Sequence, residues 1–304
     1  MTWSFSISKQ FTQCQRQWFY KTKVANGVAK DPLRKEAYLL SKLQSVYSWR
    51  GKIVDTVLGD YVVKNLKNGI NEKATLVYAK TLFERQLDFA KNHDVRQITT
   101  SITKLGDQFA AFFESEYGNG LDDSQIESAW RDVETAIHNF FMFGELIDQL
   151  KKTDYLVTQR SLSFEINGFK AKAVPDLIAF QRSGPPIVYD WKVHTFAYQD
   201  YRLQLACYAI ALTSGKPHKD FPQDPTIYSP TDIKLVEVQL LKNELREYQL
   251  TLDDIQDTEE YIENSATEIG LALGDEKSNS PLDFLSATNP DTCSRCTFRS
   301  LCWK

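Results

Sequence analysis

The chain has 304 residues, enough for one elaborated domain or two average ones with a sizeable core. Hydrophobic residues make up 42% and charged residues 25% of the chain, as in soluble globular proteins, and no apolar run approaches the roughly 20 residues that would cross a bilayer. The formal net charge of −4 gives no sign of a nucleic-acid binder, but it does not exclude one, since binding requires only a local basic surface.

The N-terminal segment, residues 1–30, predicts a helix over residues 9–21 that Ser8 caps. Cys14 and Trp18 lie on it at helical spacing, and taken alone the cysteine would be a small core residue. The segment has no apolar region typical of a signal peptide, so we expect a cytoplasmic or nucleoid location and no membrane partner.

Residues 31–150 show no strand alternation and predict an all-helical region. Its aromatic residues recur at helical intervals and are expected in the core. The predicted helices cover residues 35–49, 51–68, 72–92, 98–117 and 123–149.

From residue 155 the hydrophobic period changes to that of strands. Residues 155–166 alternate, and Asn167-Gly168 favours a type I′ hairpin turn into a second strand over residues 170–180. That strand carries Pro175-Asp176 in its middle. A third strand, residues 187–192, ends in Asp190-Trp191-Lys192, and the alternation of side chains places Asp190 and Lys192 on one face.

A largely apolar helix over residues 197–212 follows, and on it Gln204 and Tyr208 share a face one turn apart. A proline-rich loop, an alternating strand over residues 233–241 and a long helix over residues 252–273 complete the pattern. The acidic start of that last helix suits its dipole.

Two carboxylates on neighbouring strands repel each other unless a positive charge lies between them. A hard divalent cation would supply that charge, and a lysine on the same face could orient or deprotonate a water molecule. The alternative is a surface ion pair between Asp190 and Lys192, with Asp176 in a turn. Because an uncompensated carboxylate inside AVPDLIAF would be costly to bury, a functional role is favoured.

Pro175-Asp176, Asp190-x-Lys192 and Gln204-x-x-x-Tyr208 together resemble the PD-(D/E)XK nuclease superfamily, specifically its RecB-like branch. The resemblance implies an α/β, restriction-endonuclease-like core, here residues 151–275, with a mixed central sheet flanked by helices. It also implies that Asp176, Asp190 and the Trp191 carbonyl hold one or two Mg2+ or Mn2+ ions, that Lys192 positions or deprotonates the attacking water, and that Gln204 and Tyr208 hold the DNA strand or brace the site.

Gly51 and Asp55 resemble the first RecB-like motif, in which a metal-binding histidine follows a glycine by four residues. This chain has aspartate at the histidine position. Aspartate is also an oxygen ligand for a hard cation, so Asp55 could complete the site, and the alternative is a solvated aspartate on a helix face.

The C-terminal segment, residues 276–304, contains cysteines with C-x2-C-x5-C spacing: Cys293, Cys296 and Cys302. Thiolates this close in sequence select zinc or an iron–sulfur cluster and call for a fourth ligand. Cys207 lies on an apolar helix and is expected in the core, which leaves Cys14. The pattern resembles the iron–sulfur nucleases of the RecB-like branch, which include AddB and the CRISPR-associated adaptation nucleases. That resemblance implies a 4Fe-4S cluster, with structural zinc as the alternative.

The resemblance implies a Mg2+- or Mn2+-dependent deoxyribonuclease, expected as an exonuclease rather than an endonuclease, that acts on single-stranded DNA or DNA ends in repair, recombination or antiviral defence. One alternative is a weakly catalytic DNA-binding or scaffold subunit of a repair or defence complex, which aspartate at residue 55 mildly favours. Another is a zinc-stapled ribonuclease. No Walker-type phosphate-binding motif is present, so no helicase motor is expected in this chain.

Overall fold

The computed structural model of the protein describes residues 2–181, 184–194, 201–222, 228–274 and 280–303. Its strands are β1 Tyr155–Thr158, β2 Leu162–Ile166, β3 Phe169–Ala173, β4 Leu177–Phe180, β5 Ile187–Lys192, β6 Lys234–Gln239 and β7 Glu244–Tyr248. Its helices are α1 Phe5–Gln13, α2 Gln15–Phe19, α3 Pro32–Leu40, α4 Val46–Thr56, α5 Val63–Asn65, α6 Glu72–Asn92, α7 Ile102–Leu105, α8 Phe113–Tyr117, α9 Asp123–Met142, α10 Gly144–Lys152, α11 Arg202–Ser214, α12 Leu252–Leu273, α13 Pro290–Ser294 and α14 Arg299–Cys302.

The chain divides into two compact units. The sheet unit comprises Met1–Phe5, Gly51–Ala79 and Arg131–Thr267, and it contains every strand named above. The helical unit comprises Ser6–Arg50, Lys80–Trp130 and Glu268–Lys304.

The sheet unit is built on five strands in the order β1-β4-β5-β6-β7. All neighbours pair antiparallel except β5 and β6, which run parallel. A parallel pair requires a crossover, and α11 provides it. Every residue from Ile187 to Trp191 is buried, as is every residue of α11 from Leu205 to Ala211. The central strand and the crossover helix therefore lie inside the core rather than on its surface.

The predicted hairpin forms, but its strands are shorter than expected. Asn167 and Gly168 have φ values of 46° and 85°, the left-handed pair that a type I′ turn requires, and they join β2 to β3 in a separate two-stranded sheet. The predicted strand over residues 155–166 is wrong as a single element, because it splits into β1 and β2. The strand predicted over residues 170–180 also splits, and Asp176 lies just before β4 rather than within a hairpin strand.

Several predicted helices are broken in the structure. Residues 98–117 do not form one helix, because Gly106 ends α7 with φ 60° and the backbone around Phe112 bonds to Gln44 instead of to its own turn. The helix predicted over residues 9–21 is divided at Cys14, and Ser8 lies within α1 rather than capping it. The predicted helix over residues 123–149 is likewise interrupted, at Phe143, between α9 and α10.

The core of the helical unit draws on all three of its chain segments. Tyr20 and Leu40 pack in one buried cluster with Phe89, Phe109 and Phe298 from distant parts of the chain. Elsewhere in the unit, the buried ring of Trp49 lies against Phe83 and Phe112, with centroid distances of 4.2 and 4.9 Å. These rings therefore serve as core, as the helical spacing of the aromatic residues predicts.

In the described part of the chain, no helix is both long and apolar enough to traverse a lipid bilayer.

Candidate active site

Two acidic residues meet where β4 and β5 lie side by side. Leu177 pairs with Tyr189 in antiparallel register, so the next residues along each strand, Asp176 and Asp190, stand opposite each other. The Trp191 N–H donates to Asp176 Oδ2 at 2.8 Å. This bond fixes the Asp176 carboxylate against the edge of β5, although Asp176 itself lies outside a strand.

Lys192 extends from the same face of β5 as Asp190. Its Nζ forms an ion pair with Asp190 Oδ2, and the lysine side chain is only 13% exposed. Asp190 itself is 2% exposed, and no described residue gives Oδ2 a hydrogen bond of good geometry in addition to that ion pair. An ion pair this sheltered from water is far more strongly coupled than a surface pair.

Helix α11 brings two further predicted residues to this point. Lys192 Nζ lies 3.5 Å from Gln204 Oε1, and Gln204 Nε2 donates to the Tyr208 hydroxyl at 2.6 Å. The Tyr208 hydroxyl in turn donates to Asp190 Oδ1 at 3.4 Å. The polar face of an otherwise buried helix thus joins the carboxylate and the ammonium in one network.

Asp55 lies near the end of α4, directly before a π-helical turn over Val57–Val62. Burial raises the pKa of Asp55 to about 7, and the charge of Asp190 adds to the effect while Lys192 opposes it. Electrostatic coupling of this kind requires proximity, so α4 places Asp55 beside the residues of β5. Helical irregularities of this type are frequent at functional sites.

The other two carboxyl groups are affected in the same way. Burial raises the pKa of Asp176 well above its usual range, and the charges of Asp190 and Asp55 reinforce the shift. Burial also raises the pKa of Asp190, against the opposing effect of Lys192. The pKa of Lys192 is raised in turn, because the attraction of Asp190 and Asp176 outweighs burial, which lowers it. Three acids therefore share one low-dielectric region with a single ammonium.

These donors suit a hard divalent cation by their chemistry. Carboxylate oxygens are the ligands that Mg2+ and Mn2+ prefer, and a bound cation would favour the charged carboxylates against the burial that raises all three pKa values. The side chains are nevertheless not drawn together around one point, since no three His, Cys, Asp or Glu residues in the described ranges form a ready-made metal site.

A fourth carboxylate, Glu237, also lies beside the site. The sequence does not predict it as a site residue, because alternation makes it only a polar member of the strand over residues 233–241. Glu237 pairs with Asp190 in parallel register and is completely buried. It accepts a hydrogen bond from the Tyr248 hydroxyl at 2.7 Å and another from Gln239 Nε2, and Arg246 Nη1 lies 3.6 Å from it. The signal in the sequence is a glutamate on the inward face of an apolar strand.

The four cysteines of the predicted cluster converge within the helical unit. Cys14, Cys293, Cys296 and Cys302 line one cavity. Backbone N–H groups of Gln17 and Phe298 point at two of the sulfurs, each at 3.4 Å.

The thiols are therefore gathered on one cavity and supplied with donors, which fits a sulfur-bound metal or cluster by donor type. They too are not set as ligands around a single point. Burial raises the pKa of the Cys296 thiol to about 12, and the neighbouring cysteines add to the shift.

Cys207 behaves differently from these four. It lies on α11 in the sheet unit, is 1% exposed, and burial raises the pKa of its thiol to about 12. Its position among apolar residues is that of a core side chain, as its sequence context predicts.

Comparison with known proteins decides the family. The family model of the PD-(D/E)XK nuclease superfamily matches residues 2–303, nearly the whole chain. The chain belongs to the PD-(D/E)XK nuclease superfamily. This membership supports a hydrolytic nuclease, and the mixed α/β fold with its mostly antiparallel central sheet is the restriction-endonuclease-like fold predicted for it.

Solved structures resemble this PD-(D/E)XK protein only distantly. A protein named as a candidate exonuclease from Eubacterium rectale has 12% identity and a TM-score of 0.46, over 94% of this chain and 84% of that one. The protein SSO0001 has 17% identity and a TM-score of 0.31, over 74% of this chain and 96% of that one. Similarity this low supports neither substrate nor mechanism. No curated protein sequence matches the chain at a significant level.

Proposed function

We propose that this PD-(D/E)XK protein is a Mg2+- or Mn2+-dependent deoxyribonuclease. The observation that carries the proposal is the convergence of Asp176, Asp190 and Lys192 at the β4–β5 junction, with Asp55 beside them. The three carboxylates and the Trp191 carbonyl would hold one or two ions. When bound, such an ion supplies Lewis-acid stabilisation of the phosphate and lowers the pKa of a water molecule.

The protein's own groups then have separable roles. Lys192 would orient the attacking water or take its proton, and its charge would offset the negative charge that develops on the phosphate. Tyr208 holds one oxygen of Asp190, and Gln204 contacts both Tyr208 and Lys192. Gln204 and Tyr208 would therefore brace the carboxylate and the ammonium in a fixed relative orientation, or hold the DNA strand.

The substrate we propose is single-stranded DNA with a free end, degraded exonucleolytically in the cytoplasm during repair, recombination or antiviral defence. Its support is the RecB-like form of the motifs, Asp190-x-Lys192 followed by Gln204-x-x-x-Tyr208. A protein partner in a repair or defence complex fits the same resemblance.

Cleavage of end-labelled single-stranded DNA by the purified full chain tests the proposal. We expect Asp190→Ala and Lys192→Ala to abolish cleavage in Mg2+ or Mn2+ while circular dichroism stays unchanged. The matched control is Lys234→Ala, because Lys234 is also a sheet lysine but forms only a surface ion pair with Glu247. Undiminished cleavage by either site variant would refute the assignment, and preferential cleavage of RNA would indicate a ribonuclease instead.

We also propose that Cys14, Cys293, Cys296 and Cys302 hold a 4Fe-4S cluster, with zinc as the competing occupant. The support is their convergence on one cavity, and their role would be structural. Iron, acid-labile sulfide and zinc are measured on anaerobically purified protein. We expect Cys14→Ser to lose the metal while Cys207→Ala, which removes a thiol outside the cavity, retains it. One equivalent of zinc without acid-labile sulfide would contradict the assignment of a 4Fe-4S cluster. Equal metal content in Cys14→Ser and Cys207→Ala would contradict the assignment of Cys14 as a ligand.

A further inference from the structure

A third side chain continues the polar face of α11 towards the site. Tyr201 immediately precedes α11, and its carbonyl accepts a hydrogen bond from the Leu205 N–H at 2.9 Å, so the helical register already includes it. Tyr201, Gln204 and Tyr208 are spaced i, i+3 and i+7, which places them in one stripe. The motif that carries the site therefore reads Tyr-x-x-Gln-x-x-x-Tyr in this chain.

The ring of Tyr201 contacts the ammonium of Lys192. Nζ lies 4.2 Å from the ring centroid, within the range of a cation–π interaction. The ammonium thus has three neighbours of different kinds, namely the Asp190 carboxylate, the Gln204 amide oxygen and the Tyr201 ring. Because the site is largely closed to water, the interaction with the ring is stronger than it would be at an exposed position.

The ring is itself held in place. The Tyr201 hydroxyl forms a hydrogen bond of 2.7 Å with Nε2 of His194, which lies two residues beyond Lys192. On the helix side, Arg202 Nη1 donates to both carboxylate oxygens of Asp254, at 2.8 and 2.7 Å, and this pair ties the start of α11 to the start of α12. The aromatic face therefore has a defined orientation.

We propose that Tyr201 is a positioning residue for Lys192. The Tyr201 ring holds the Lys192 ammonium towards the carboxylates, and the hydrogen bond between the Tyr201 hydroxyl and His194 keeps the ring in place. The proposal rests on the proposed nuclease function. A π face attracts a cation without a directed hydrogen bond, so it restrains Nζ while leaving the ammonium able to turn one N–H towards a water or a phosphate oxygen. A carboxylate in the same place would instead hold that N–H and add a further negative charge to the site.

The test compares variants of the full chain by single-turnover cleavage of end-labelled single-stranded DNA in Mn2+. DNA affinity is measured separately by fluorescence anisotropy in Ca2+. We expect Tyr201→Leu to lower the single-turnover rate constant by about 2- to 30-fold with DNA affinity unchanged, and Tyr201→Phe, which keeps the ring, to retain most of the rate. Tyr201→Gln is a second variant without the ring, used if Tyr201→Leu fails to fold.

Two controls separate positioning from general damage. Tyr261→Leu removes a partly buried ring that packs against Trp3 instead of the site, and it should leave the rate unchanged. Tyr201→Phe is the second control, because it keeps the ring and removes only the hydroxyl that bonds to His194.

The proposal is overturned if Tyr201→Leu cleaves at the normal rate, if Tyr201→Phe loses as much rate as Tyr201→Leu, or if the loss is confined to DNA affinity. Failure of the nuclease assignment looks different, because Lys192→Ala and Asp190→Ala would then cleave normally themselves.

Discussion

Glu237 illustrates how the protein keeps a carboxylate in its interior. Strand register places Asp190, Glu237 and Arg246 in one row across β5, β6 and β7, and Asp176, just before β4, stands opposite Asp190. Glu237 is completely buried, so each of its partners replaces hydration that the folded state removes. Burial is the largest cause that raises the pKa of Asp190, and Lys192 opposes it. The charge of Glu237 is a smaller cause that also raises this pKa. Compensation of Glu237 by Arg246 therefore bears on the charge balance of the site.

We predict that Tyr248→Phe destabilises the protein by about 1.5–3 kcal/mol, because it removes a hydroxyl that donates to the buried Glu237 carboxylate. The measurement is the shift of the guanidinium unfolding transition. Tyr155→Phe is the control, since Tyr155 is 52% exposed and should tolerate the change. Equal shifts in the two variants would show that the hydrogen bond to Glu237 contributes nothing specific.

Asp55 is predicted to act through the bound ion. We expect Asp55→Ala to raise the Mn2+ concentration for half-maximal cleavage by at least about 10-fold, because a charged ligand is lost from the site. Asp60→Ala is the matched control, since Asp60 is an exposed aspartate paired with Lys64. An unchanged Mn2+ dependence would show that Asp55 is an aspartate on the helix face that does not bind the ion.

At the scale of elements, two glycines should respond to alanine in opposite directions. Gly168 has φ 85° in the β2–β3 turn, so Gly168→Ala should destabilise by about 1–2 kcal/mol. Gly51 lies inside α4 with no atom within 4 Å of an added Cβ, so Gly51→Ala should stabilise by about 0.5–1 kcal/mol. Thermal unfolding of both variants checks the signs, and a shift of the same sign in both would contradict the backbone explanation.

Local chemistry explains which elements the sequence could predict. The bounds of α6 and α12 match the prediction because their hydrophobic period continues without interruption over five or more turns. The β2–β3 turn follows from Asn167-Gly168 alone. Strand β7 escaped prediction because its burial pattern is mostly exposed and it depends on pairing with β6. The break in the helix predicted over residues 98–117 could not be predicted, because the backbone there bonds to Gln44, which is distant in sequence.

The same distinction between local sequence signals and long-range contacts applies to the site residues. Asp190 and Lys192 follow from alternation along one strand, and Gln204 and Tyr208 follow from one helical turn, so their shared faces could be predicted. The contact between these two pairs depends on how α11 packs on β5. Tyr201 enters the site only through that packing, and Glu237 enters it only through the pairing of β5 with β6. Without these contacts they resemble an ordinary helix start and an ordinary polar strand residue.

At the scale of the whole molecule, residues 296–302 of the C-terminal segment contribute to the core of the helical unit. Phe298 and Leu301 are buried there, and the Tyr20 hydroxyl donates to the Leu301 carbonyl at 3.1 Å. The Arg299 guanidinium lies over the Tyr117 ring at 4.3 Å from its centroid. The segment is therefore anchored by protein contacts as well as by whatever its cysteines bind.

We predict that Cys14→Ser lowers the melting temperature of the helical unit markedly. A cluster that links Cys14 to Cys293 closes a loop of about 280 residues, which removes roughly 5 kcal/mol of unfolded-state entropy. Chelation of the metal should have the same effect on the unvaried protein and little on the variant. Cys207→Ala, the control, should keep a response to chelation. A variant that melts like the parent chain would show that the four thiols are not joined by a metal.

The parallel pairing of β5 with β6 affects when a newly made chain can become active. Lys192 and Gln239 align in that pair, so β5 gains its second neighbour only after α11 and β6 have left the ribosome. Until then, Asp190 lacks the partner strand that seals it from water, and Tyr208 has no packed helix to hold it in place. Nascent polypeptide should therefore stay unable to cut nucleic acid until β6 has left the ribosome and paired with β5.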